Sequence, residues 1–125
     1  MELKRVVVTG LGALTPIGNN IDEFWNNLII GKSGAAPITY FDTEKFKTKF
    51  ACELKDFNVL DFLDRKEARK MDRFTQYAMV ASEQAILDSK LDLDSIDNYR
   101  SGVIWGSGIG GIETFQDEVI NFAPR

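Results

Sequence analysis

The sequence predicts an α/β fold with parallel strand pairing, and three observations carry that reading. Two short apolar runs, residues 4–8 and 102–105, have the composition of buried strands. Each runs straight into a glycine-rich turn. The sequence between them is helical in pattern, so the strands are separated by helices and not by hairpins.

The first run is Lys4-Arg5-Val6-Val7-Val8, ended by Thr9-Gly10. The loop after it is built of small and turn-forming residues: Gly10, Gly12, Ala13, Pro16 and Gly18. A helix is expected to start near Asn19 or Asn20. Asn20 can cap it, with Glu23 three residues on, as in a capping box. Ile21, Phe24, Trp25, Leu28 and Ile29 then fall on one helical face, and Gly31 suits the C′ position.

Residues 35–57 carry Pro37 and scattered aromatics (Tyr40, Phe41, Phe46, Phe50), which predicts loop and short extended pieces. A short strand is expected within Phe50 to Leu54, and a helical turn or two between Asp56 and Leu63. The clearest helix is expected from Lys66 to Ser89. Met71, Phe74, Ala78, Ala81 and Ala85 repeat there at helical spacing, and the alanines permit close approach by a neighbour. The second strand, Gly102-Val103-Ile104-Trp105, feeds Gly106-Ser107-Gly108-Ile109-Gly110-Gly111. A last helix is expected over 112–122.

Composition narrows the function. The 125 residues fit one domain, and 44% hydrophobic content with 27% charged describes a chain able to bury a core. A net charge of −4 argues against nucleic acid as a generic partner. Neither a secretory leader nor a run of the ~20 apolar residues a membrane span needs is present, so the expected location is the cytoplasm. Cys52 is the only cysteine, which excludes an internal disulfide. There is no histidine, so no Ser/His or Cys/His nucleophile system can be assembled from these residues alone. A zinc site would have only Asp, Glu and one Cys to draw on.

Several motifs have a plainer reading beside the functional one. Gly106-x-Gly108-x-x-Gly111 has the letters of a dinucleotide fingerprint, but it follows the second strand and not the opening one, and the acidic ribose ligand about 20 residues on would fall past position 125. In the first cluster Thr15 stands where the third glycine belongs. The plainer reading is that both clusters make tight strand-to-helix turns. Gly31-Lys32-Ser33 resembles the end of a P-loop, yet it follows a helix and position 26 is Asn26. Cys52 has no histidine to activate it and reads as a small strand residue.

Arg65, Lys66, Arg69, Lys70 and Arg73 crowd the start of the long predicted helix, against Glu67 and Asp72. Cations are unfavourable at a helix N-terminus, and several of these lie one turn apart. A docking surface for an anionic partner would explain their concentration. A solvated helix face with Glu67 and Asp72 as local partners would explain it as well.

Taken together, five segments resemble the β-ketoacyl-[acyl-carrier-protein] synthase family, and within it the type II synthases of bacterial fatty-acid elongation. They are Val6-Val7-Val8-Thr9-Gly10-Leu11-Gly12, Thr15-Pro16-Ile17-Gly18, Phe41-Asp42-Thr43, Arg65-Lys66-Glu67-Ala68-Arg69-Lys70-Met71-Asp72, and Gly106-Ser107-Gly108-Ile109-Gly110-Gly111. They occur in the family's order across the whole chain.

The resemblance implies a thiolase-like fold, layered αβαβα in the complete enzyme, with residues 1–125 as the N-terminal portion of the synthase's N-terminal domain. It implies a decarboxylating Claisen condensation of an acyl thioester with malonyl-carrier protein, needing neither organic cofactor nor metal. It implies acyl carrier protein as partner and a homodimer as the complete assembly. It places the nucleophilic cysteine, two histidines and a lysine downstream of position 125, so these residues alone are expected to be inactive. Lys66, Arg69 and Lys70 match cations that meet the carrier protein, and Arg125 is carried over as a further docking position. Ile109 matches the residue that lines and gates the acyl pocket. The alternative within this resemblance is a non-catalytic, chain-length-factor-like partner subunit.

Overall fold

The computed structural model describes residues 3–123. Its elements, in order, are α1 (Ile21–Ile29), β1 (Ala36–Pro37), β2 (Phe50–Ala51), a 3-10 turn (Val59–Asp61), α2 (Arg65–Ala68), α3 (Arg73–Ser89) and α4 (Ile112–Phe122). The chain divides into two compact units. One comprises the chain up to Phe57 together with Glu83–Leu91, and the other Asn58–Ser82 together with the chain from Asp92 onward.

In the first unit, α1 forms as its sequence predicts. Asn20 has extended backbone, and its Oδ1 accepts the Glu23 N–H at 2.9 Å. Glu23 Oε2 reaches back to the Asn19 N–H at 3.0 Å, one residue before the cap itself. The first bond satisfies one N–H that the helix end leaves orphaned, and the second ties the chain just before the cap to the helix. Gly31, at φ +71°, takes the left-handed position after the helix. Ile21 and Phe24 are half-buried, whereas Trp25, Leu28 and Ile29 on the same stripe are exposed. β1 and β2 pair antiparallel, with Ala36 opposite Ala51 and Pro37 opposite Phe50. The short strand expected within Phe50 to Leu54 is therefore present, shortened to two residues. Phe41 and Phe46 meet edge to face, with centroids 5.3 Å apart.

The glycine loop of the first unit is held from one side by the C-terminal turns of α3. Leu11 N–H donates to Asp88 Oδ2 at 2.8 Å, and Ala13 N–H to Gln84 Oε1 at 3.0 Å. Gln84 Nε2 donates in turn to the Asn19 carbonyl at 2.8 Å. A Cβ on Gly10 would collide with the Ala85 carbonyl oxygen and lie 2.6 Å from Ser89 N. Only a residue without a side chain lets the loop backbone lie this close to the helix backbone.

The runs 4–8 and 102–105 are not strands among the described residues. Val6, Val7 and Val8 are exposed, as are Val103, Ile104 and Trp105. Val-rich patterning reports a backbone suited to a sheet, but a strand exists only when a neighbour supplies the ladder. The described residues supply none here, and the sheet they form is the antiparallel β1–β2 pair.

In the second unit, the helix expected over 66–89 is interrupted. α2 ends at Ala68 and α3 begins at Arg73. Asp64 caps α2 by accepting the Lys66 N–H at 2.6 Å. Lys70 N–H then bonds Glu67 O, and Met71 N–H bonds Ala68 O, both three residues back, so the chain tightens into a turn. Gln76 Nε2 bonds the Ala68 and Met71 carbonyls at 2.9 and 3.1 Å, adding a second donor to Ala68 and giving one to Met71. Interruption also relieves a run of like charges one turn apart. The buried hydrophobic residues, Ala68, Ala78, Val80 and Ala81, all belong to this unit, and Val80 is fully buried. Ala78 and Ala81 lie on the face the spacing predicted.

Candidate functional site

The predicted site residues fall in the second unit, apart from Arg125, which lies outside the described residues. Between Asp64 and Arg73 five cations stand against three carboxylates, in a chain whose net charge is −4. Arg65, Lys66, Arg69 and Lys70 are all exposed. The break after α2 changes their electrostatics. Arg69 and Lys70 sit in the turn between two helices, outside the first turn of α3 where the helix dipole would oppose them. Arg73 alone begins α3, and its Nε pairs with Glu113 Oε2 at 3.1 Å.

The local partners expected from sequence are half right. Glu67 Oε1 holds the Lys70 ammonium at 2.7 Å, with both side chains largely in solvent. A pair this exposed contributes little and exchanges readily for another anion. Asp72 instead faces α4. Its Oδ1 accepts the Thr114 hydroxyl at 2.5 Å, and a Cβ on Gly111 would lie 2.5 Å from its Oδ2. Gly111 has φ +71°, the left-handed region that favours glycine. The Phe74 ring lies against Gly110. The N-terminal end of α4 is thus pinned to the start of α3 by a hydrogen bond, an ion pair and ring packing. No local sequence signal marks Asp72–Thr114 or Arg73–Glu113, because each joins residues about forty positions apart.

Ile109 sits one residue before this pinned segment, 73% exposed. A Cβ on Gly106 or Gly108 would meet nothing within 4 Å, so the turn has room on the N-terminal side of Ile109. The geometry also bears on the dinucleotide reading. The Asp72 carboxylate occupies the N-terminal side of α4, where a pyrophosphate would have to sit. In the first glycine loop, the Leu11 and Ala13 amides that could cradle phosphate are already spent on Asp88 and Gln84. Among the described residues, no three His, Cys, Asp or Glu side chains gather as a metal site, and no helix is long and apolar enough to cross a membrane. Cys52 is exposed and adjoins β2.

The chain resembles solved ketosynthases in fold. The chain superimposes on an ishigamide ketosynthase/chain length factor with TM-score 0.66 and 39% identity, over 72% of this chain and 22% of the other. It also matches a structure of a type II polyketide synthase acyl-carrier protein in complex with its ketosynthase bound to the hexaketide, at TM-score 0.55 and 30% identity. That match covers 73% of this chain and 23% of the other. The fold is one shared with ketosynthase structures.

Residues 3–122 match the family described as β-ketoacyl synthase, N-terminal domain, and the chain belongs to that family. Among its relatives are 3-oxoacyl-[acyl-carrier-protein] synthase 2 of Staphylococcus aureus, 53% identical over 98% of this chain, and the protein of the same name from Synechocystis sp., 49% identical over 94%. The chain spans 30% and 28% of their respective lengths, under a third in each case.

Proposed function

We propose that this chain is the N-terminal portion, residues 1–125, of the N-terminal domain of a 3-oxoacyl-[acyl-carrier-protein] synthase of fatty-acid elongation. The reaction is a decarboxylating Claisen condensation. Malonyl-carrier protein loses CO2, and the resulting carbanion attacks the acyl thioester to give 3-oxoacyl-carrier protein. None of residues 1–125 is assigned a catalytic role. The chain has no histidine, and Cys52 lacks the setting of an activated nucleophile, so the cysteine, histidines and lysine of the reaction come from other sequence. The segment supplies scaffold, carrier docking and part of the acyl pocket within a thiolase-like, layered fold. The complete protein is a cytoplasmic homodimer that needs no cofactor.

One observation carries this reading. The exposed cations Lys66, Arg69 and Lys70 stand on a short segment whose next anchor, Asp72, holds the glycine turn bearing Ile109. Carrier docking and the acyl pocket are thereby assigned to neighbouring parts of one unit. Such rim charges mainly speed association and weaken with salt. The test is to replace all three with Ala in the full-length protein. KM for carrier-bound acyl substrates is expected to rise at low ionic strength, with turnover at saturation little changed. An unchanged KM would remove the docking assignment. Arg125 is proposed as an additional docking cation.

A second reading, a non-catalytic chain-length-factor-like partner, is favoured by the ketosynthase/chain length factor likeness. The higher identity to synthases named for the condensation itself favours the enzyme. Acylation of the full-length protein by an acyl-carrier protein thioester separates the two, because the partner subunit takes no acyl group.

A further inference from the structure

We propose that Asp72 is a positioning residue that fixes the Ile109 turn and, through it, sets which acyl-chain lengths are accepted. The inference rests on Ile109 lining the acyl pocket, as proposed above. The residues 106–111 contain four glycines and would be loose if left to themselves. Where the turn enters α4 it is fastened at several points to residues 72–74. Thr114 Oγ1 donates to Asp72 Oδ1 at 2.5 Å. Gly111 lies so close to Asp72 Oδ2 that a Cβ would come within 2.5 Å of it. Glu113 pairs with Arg73, and Phe74 packs on Gly110.

Asp72 is itself well placed to be rigid. Its carbonyl accepts the Thr75 and Gln76 N–H groups at 2.9 and 3.1 Å, which locks it to the start of α3. Gln76 ties the same turn to the end of α2 through the Ala68 and Met71 carbonyls. Toward the N-terminus the turn has no such support, since a Cβ on Gly106 or Gly108 would meet only open space. One end of the Ile109 turn is therefore fixed and the other free, and Asp72 makes two of the contacts at the fixed end. A hinge of this kind limits how far Ile109 swings. Loosening it lets Ile109 yield to chains it would otherwise refuse.

The test uses the full-length protein and reads a ratio. In one preparation, kcat/KM for a long acyl-carrier substrate is divided by that for a short one. The fraction of folded enzyme cancels, so a merely destabilised variant leaves the ratio alone. Thr114→Val keeps shape and loses the hydroxyl, whereas Thr114→Ser keeps it. Thr114→Val is expected to shift the ratio roughly fivefold toward longer chains, the scale of one lost hydrogen bond. Thr114→Ser is expected to restore the original ratio. Asp72→Asn, which keeps an acceptor for Thr114, is expected to fall between. Ile109→Phe is run alongside. If it changes the ratio and Thr114→Val does not, the positioning role of Asp72 is refuted and the pocket reading stands. If neither changes it, the pocket reading has failed and the proposal fails with it.

Discussion

Leu11 donates its N–H to Asp88 Oδ2 at 2.8 Å across a sequence gap of 77 residues. It fastens a glycine loop to the last turns of a helix that begins more than sixty residues later. Hydrogen bonds to a charged acceptor contribute about 1.5–3 kcal/mol, less where water competes, and this one is exposed. Asp88→Ala in the full-length protein is expected to lower unfolding stability by about 1 kcal/mol. Asp88→Asn, which keeps an acceptor, is expected to cost less. Urea denaturation of the three proteins measures both.

A stronger effect is expected at Gly10. The atoms facing it are the Ala85 carbonyl and the Ser89 backbone nitrogen, and neither can rotate out of the way as a side-chain end can. Gly10→Ala forces the loop off the helix, an overpacking that costs about 1–3 kcal/mol. It also endangers the Leu11–Asp88 and Ala13–Gln84 bonds one to three residues on. The midpoint of thermal unfolding is therefore expected to fall further for Gly10→Ala than for Asp88→Ala. Equal or smaller loss would mean that the loop can lift from α3 without cost.

How much of this was legible in sequence depends on how local each device is. α1 and α4 were readable because Asn20, Glu23, Gly31 and the apolar spacing act within a turn or two. The break between α2 and α3 was not. It is held by Gln76, whose amide reaches back five and eight residues to Met71 and Ala68 and looks in sequence like any polar helix residue. Val6–Val8 and Val103–Trp105 show the converse. Their pattern is local and legible, but the pairing that would make them strands is not supplied by the described residues. Lys66, Arg69, Lys70 and Ile109 were picked out by resemblance. The Asp72–Thr114 bond that anchors the turn beside Ile109 spans 42 residues and left no local trace.

The Lys70–Glu67 pair makes a prediction of opposite sign to that for the cations. Glu67 is the one carboxylate between Arg65 and Lys70, and it holds the Lys70 ammonium at 2.7 Å. In the proposed docking, the acidic carrier must compete with it. Glu67→Gln removes the competitor and raises the local positive potential, so association with acyl carrier protein is expected to quicken. At low salt KM for carrier-bound substrates should drop about two- to fivefold, and the gain should shrink as ionic strength rises and the Debye length falls below about 8 Å. The exposed pair contributes little to folding, so stability should change by less than about 1 kcal/mol. A KM that rises in Glu67→Gln would show that Glu67 orients Lys70 for docking and does not compete for it.

With Ile109 lining the acyl pocket, as proposed, its size should control substrate choice. It is 73% exposed here and flanked by glycines, with open space where a Cβ on Gly108 would stand. Changes at this site therefore act on whatever occupies the space in front of it and hardly on the fold. Ile109→Phe adds bulk that a long acyl chain must displace, and forcing extra atoms into a filled pocket costs about 1–3 kcal/mol. The kcat/KM for long acyl groups is expected to fall about tenfold or more, with short ones spared. Ile109→Ala removes bulk and is expected to relax discrimination in the other direction by a smaller factor, because a hydrophobic pocket rejects an ill-fitting methylene only weakly. Competition between short and long acyl-carrier substrates measures both variants in one assay. Long-chain transfer that survives Ile109→Phe unchanged would place the pocket elsewhere in the protein.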